Sequence, residues 1–191
     1  MGSNPTLSAT PRFGYSVSRV FGILLHPQAT WSEIRKEDPG WTKAFFAYAC
    51  PLALLPAVTW PLGRAWQGAP ESVLASALAT FLLGLACVIL LACGFYVLAP
   101  LFAAARNWRR SLALACYAST PVFLCGAVLI VPLLVIASVG AFLYGLGICS
   151  AGIPVMLDCK GDVAAYLASA SVFFGASSMA LGALCSAIGL I

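Results

Sequence analysis

From Val73 to Ala99 the chain carries no charged side chain, and the run stays apolar until Pro100. At a rise of about 1.5 Å per residue, a helix of that length crosses the roughly 30 Å hydrocarbon layer of a bilayer. Similar stretches recur, and membrane spans are expected at about 44–62, 73–99, 111–130, 133–155 and 163–191. Charged residues make up only 8% of the chain and hydrophobic ones 62%, where a soluble domain carries about a quarter charged residues. The sequence therefore predicts an all-α polytopic membrane protein. Residues 44–191 form a five-helix membrane domain, and residues 1–43 a cytoplasmic tail with short amphipathic helices at the interface.

Residues 1 to 15 are polar, with Pro5, Pro11 and Gly14, and lack the apolar core of a cleavable signal. Ser16 to His26 places Val17, Val20, Phe21, Leu24 and Leu25 on one side of a helix and Arg19 toward the other. That helix is too short to span and is expected to lie on the membrane surface, ended by Pro27. Thr30-Trp31-Ser32-Glu33 fits a capping box, in which Thr30 and Glu33 satisfy the first N–H groups of a second short helix. Pro27, Thr30, Trp31 and Glu33 then form an interfacial anchor with Ile34, while Arg35, Lys36, Glu37 and Asp38 face water.

The third span contains Tyr117-Ala118-Ser119-Thr120-Pro121. Pro121 has no N–H for the carbonyl of Tyr117, and its ring crowds that oxygen, so a kink and a freed acceptor are expected. The hydroxyls of Ser119 and Thr120, or a neighbouring helix, can supply the donor, which turns this segment toward protein. Tyr144 and Gly147 in the fourth span complete the expected polar interface. Pro132 marks a hairpin with almost no loop between these two spans. In the last span Ala164, Ala168, Ser171, Gly175, Ser178, Gly182, Cys185 and Gly189 recur at steps of four and three. This is a stripe of small residues along which another span or a second copy could pack closely.

Basic residues give the orientation. Arg12, Arg19, Arg35, Lys36, Lys43, Arg106, Arg109, Arg110 and Lys160 fall on one side of the membrane and Arg64 alone on the other. The N-terminus is accordingly cytoplasmic and the C-terminus outside.

Little chemistry is on offer. His26 is the one histidine, at the end of a surface helix, and the eight cysteines contain no C-x-x-C pair. Asp158-Cys159-Lys160-Gly161-Asp162 reads as a solvated loop whose Asp162 caps the final helix. No cofactor, metal or nucleic-acid partner is indicated, and the chain does not read as an enzyme. Ionisable groups are missing from the spans, which argues against proton-coupled transport. A passive lipid or solute passage lined by Tyr117, Thr120 and Tyr144 stays open as an alternative, as does membrane-surface sensing by the N-terminal segment.

The order of these pieces resembles the Yip membrane family, whose eukaryotic members were named for interaction with Ypt/Rab GTPases. The matching features are Arg19-Val20-Phe21-Gly22-Ile23-Leu24-Leu25-His26-Pro27, then Thr30-Trp31-Ser32-Glu33-Ile34, then five spans. Tyr117-Ala118-Ser119-Thr120-Pro121 lies in the third of these and Tyr144-Gly145-Leu146-Gly147 in the fourth. The resemblance implies five crossings, a cytoplasmic N-terminus and a non-enzymatic adaptor or lipid-handling role. Its short N-terminal segment matches the bacterial members, to which vesicle trafficking does not carry over, and so implies the inner membrane. Membrane lipids, a second copy or another membrane protein are the implied partners.

Overall fold

A computed structural model describes residues 12–38, 40–68, 72–127 and 135–187. Every regular element among them is helical: α1 (Arg12–Leu25), α2 (Pro27–Glu37), α3 (Cys50–Trp66), α4 (Val73–Leu98), α5 (Trp108–Ala118), α6 (Thr120–Gly126), α7 (Val135–Leu157) and α8 (Val163–Ala187). A π-helical turn, Lys43–Ala49, leads into α3, with the Cys50 N–H bonded to the Phe45 carbonyl. Pro51 cannot donate into the turn before it, and the wide turn gives way to α-helix at that point. Ser72 caps α4, which tightens into a 3₁₀ turn at Ala99–Phe102, where Pro100 sits.

Four helices among the described residues are long and apolar enough to cross a membrane: Lys43–Trp66, Val73–Phe102, Ala137–Leu157 and Val163–Leu181. The expected third span is not one of them, because it is broken and not merely kinked. α5 stops at Ala118, Ser119 forms the joint, and α6 restarts at Thr120 with Pro121 in its first turn. A proline is tolerated there, since an N–H in the first turn has no helical partner to lose. The expected hairpin at Pro132 lies outside the described residues, as do the tail up to residue 11 and Gly189.

α5 is the centre of the packing. Ser111 to Ala118 are buried one after another, enclosed by α4, α7 and the π-helical turn. α3 lies along α6, where Gly126 lets the Pro56 ring approach so closely that a Cβ would fall 2.6 Å from it. α8 is peripheral, packed mainly on α4 and less on α7.

The N-terminal helices depart from expectation. α1 and α2 form a hairpin, and α2 docks on α7 as part of one core that holds Ile23, Trp31 and Ile34. Trp31 and Ile34 are fully buried, so Trp31 is not an interfacial anchor. Its ring fills space inside the protein while its N–H reaches a carbonyl, which removes the cost of burying it. The capping box does not form either. α2 begins at Pro27, so Thr30 is already inside the helix and its hydroxyl donates back to the His26 carbonyl at 2.9 Å. Glu33 turns instead to Arg19 of α1.

Candidate functional site

The break between α5 and α6 organises a buried polar cluster. The carbonyl of Tyr117 that Pro121 leaves free accepts from Thr120 Oγ1 at 2.6 Å, and Ser119 Oγ donates to the Ala115 carbonyl at 2.7 Å. Tyr48, from the π-helical turn, lies 2.8 Å from Thr120 Oγ1. A threonine hydroxyl has one proton, already given to Tyr117, so Tyr48 is the donor in that bond. The Tyr48 and Tyr117 rings sit 4.4 Å apart, and the Trp31 ring meets Tyr117 edge-on at 6.1 Å. Trp31 Nε1 donates to the Ile148 carbonyl at 3.1 Å. Gly152 makes room for the indole, since a Cβ there would lie 2.6 Å from Trp31 Cε2 and 2.5 Å from Leu114 Cδ1. Tyr48, Thr120 and Trp31 thus spend their polar atoms on protein partners, and the cluster joins five elements, the π-helical turn, α2, α5, α6 and α7, without presenting a reactive group.

A second, charged cluster ties the ends of these elements together. Arg35 of α2 donates to both oxygens of Asp158, at 2.8 and 3.1 Å, and to the Val155 and Met156 carbonyls that end α7, at 2.7 and 3.0 Å. Cations are favoured at a helix C-terminus. Arg110 of α5 adds a bond to Asp158 at 3.1 Å. The Arg35 guanidinium, helped by Arg110, holds the Asp158 carboxyl below its ordinary range. Behind this latch the two loops at the same end are joined by the Ala105 N–H to the Leu157 carbonyl at 2.6 Å and the Gly161 N–H to the Phe102 carbonyl at 3.2 Å. Only glycine fits at 161, where a Cβ would lie 2.6 Å from Phe102 O. Asp162 caps α8 through Ala164 N at 2.9 Å and Ala165 N at 3.2 Å. Arg19, buried in α1, reaches Glu33 and Glu37 across the hairpin.

The sequence-selected residues therefore separate. Tyr117, Thr120 and Pro121 are buried in the core, where Tyr117 meets Trp31, and Ser119 is half-buried beside them. Tyr144 is exposed, its hydroxyl donating to the Leu24 carbonyl at the tip of the hairpin. Gly147 is exposed and meets no neighbour within 4 Å. Pro27 is half-buried, and Glu33 is exposed beside Arg19. Ser171, Gly175 and Ser178 lie along a half-buried edge of α8, while the surroundings of Gly182 fall outside the described residues. Sequence reasoning missed Tyr48, Arg35, Arg110 and Asp158 as members of clusters. Their partners are distant in sequence, and no local pattern marks them.

Among the described residues no group of three or more His, Cys, Asp or Glu could hold a metal ion. A cavity of about 410 Å³ between α4 and α8 is lined by Ala86, Ile89, Leu90, Ser177, Ala180 and Leu181, an almost wholly apolar set with little to orient a polar ligand. A family model described as Yip1 domain matches residues 21–182, from α1 into α8. No curated protein matches the chain, and no solved structure does.

Proposed function

Because the chain belongs to the Yip1 domain family, we propose that it is a non-enzymatic membrane adaptor of the short bacterial type, acting through helix contacts with a second copy or another membrane protein. In this reading the broken α5–α6 segment makes a fifth crossing. The charged end, with Arg35, Arg110 and Lys160, faces the cytoplasm, the C-terminus lies outside, and the membrane is the inner one. Exposed Leu78, Leu82, Val172 and Met179 meet lipid.

One contrast carries the reading. Gly126 and Gly152 are filled to contact by Pro56 and Trp31, whereas a Cβ on Gly175 would meet nothing within 4 Å. Small residues inside the bundle serve packing within the chain, whereas the open space at Gly175 leaves room on the edge of α8 for another helix to approach, although the Ser178 hydroxyl of the same stripe is buried. The passage reading has less support, because Tyr117 and Thr120 are buried and their cluster is bonded internally.

Crosslinking in native membranes tests the proposal. Gly175→Leu with Gly182→Leu should abolish the crosslinked species while membrane insertion and the unfolding midpoint stay unchanged. Crosslinking that survives in this variant removes the stripe as the contact.

A further inference from the structure

The register of the α1–α2 hairpin against α7 places its tip deep in the membrane. Trp31 bonds to the Ile148 carbonyl, and Arg35, one turn later, to the Val155 and Met156 carbonyls and to Asp158. The two helices therefore run side by side in the same direction, toward the charged end. Leu24, just before the hairpin turn, accepts from Tyr144. Tyr144 lies more than three turns back from Leu157, about 20 Å along the helix, and half of a bilayer's hydrocarbon is about 15 Å. The tip with His26 thus reaches the depth of the bilayer's middle, on helices too short to cross.

Its two outer faces differ. α1 turns Phe21 and Leu25 outward, exposed by 60% and 68%, as a lipid-facing helix would. The outward face of α2 carries Gln28, Ala29, Ser32, Glu33 and Lys36, all exposed. Lys36 is level with the charged end and Glu33 pairs with Arg19, but Gln28 and Ser32 lie nearer the tip, and polar side chains at that depth face water or protein and not acyl chains. α7 beside it offers only small or rigid residues to the surface, namely the exposed Gly147 and Pro154 and the half-buried Ser150 and Ala151. Ser150 Oγ turns back to the Gly147 carbonyl at 2.7 Å. A Cβ on Gly147 would meet nothing within 4 Å, so the surface is open at that point.

We propose that the α1–α2 hairpin is a re-entrant element of the inner half of the membrane, and that the polar face of α2 with the Gly147–Pro154 face of α7 borders a cleft filled with water from the charged end. The occupant is water. This proposal stands apart from the α8 contact and survives its failure.

Thiol accessibility decides it. In a Cys159→Ser background, single Gln28→Cys and Ser32→Cys variants are treated with a membrane-impermeant thiol reagent in inverted and in right-side-out vesicles, alongside Phe21→Cys and Leu25→Cys. Gln28→Cys and Ser32→Cys should label several-fold faster than the other two, and only when the reagent reaches the charged end. Protection of both polar positions overturns the cleft. Equal labelling of Phe21→Cys and Leu25→Cys overturns the insertion, since the hairpin would then lie outside the hydrocarbon. Two independent polar positions keep the result readable if one variant fails to fold.

Discussion

Gly152 and Gly175 are both glycines on long apolar helices, and the molecule uses them in opposite ways. At Gly152 the missing side chain is a socket: the Trp31 ring occupies it, bonded to the Ile148 carbonyl one turn earlier. At Gly175 the missing side chain leaves a gap that none of the described residues enters. A small residue in a membrane helix therefore says that something comes close, and not what. Around Gly152 the visitor is the protein's own N-terminal hairpin. At Gly175 none of the described residues supplies one.

The most damaging way to break this contrast is to empty the socket. Trp31→Ala should cost about 3–5 kcal/mol, the range for deleting a large buried aromatic side chain, read as a lower midpoint of SDS-induced unfolding in mixed micelles. An unchanged midpoint would mean that the hairpin contributes nothing to the bundle. Filling the socket is milder. Gly152→Ala should cost about 1–3 kcal/mol through overpacking against Trp31 and Leu114, while Gly175→Ala, in open space, should leave the midpoint within error. Equal effects at the two glycines would erase the distinction.

The smallest effect expected is on the latch. Arg35 and then Arg110 depress the Asp158 carboxyl, so the stabilisation is fully present above the ordinary aspartate value of about 3.9. It is lost as pH falls through the depressed folded value. Unfolding midpoints measured downward from about pH 5 should fall, and Asp158→Asn should flatten that dependence. Because Asp158 is half exposed the amplitude is small.

Part of this was legible in advance. The Thr120 to Tyr117 bond follows from Pro121 alone, because a proline frees the carbonyl four residues before it and the nearest hydroxyl is fixed by sequence. Asp162 as the cap of α8 is equally local. Tyr48 completes the same cluster but arrives from the π-helical turn of a different helix, and nothing near Thr120 announces it. Arg35 and Asp158 each looked solvated, and each is half of a contact between the first and the last parts of the bundle. The N-terminal helices were misplaced for a related reason: a short helix with an apolar stripe can bury it against headgroups or against protein, and its pattern is the same in both cases.

The sequence by itself determined that the chain enters a membrane, where four of its long helices run and which end is charged, because the lipid imposes length, hydropathy and backbone satisfaction on each segment separately. Only the tertiary structure decided that α1 and α2 join the bundle and that α5 stops at Ala118, short of Pro121, inside a buried cluster. Those outcomes depend on a socket at Gly152, carbonyls at the end of α7 and a tyrosine on another helix. They are long-range fits, whose energies exist only once the helices have come together.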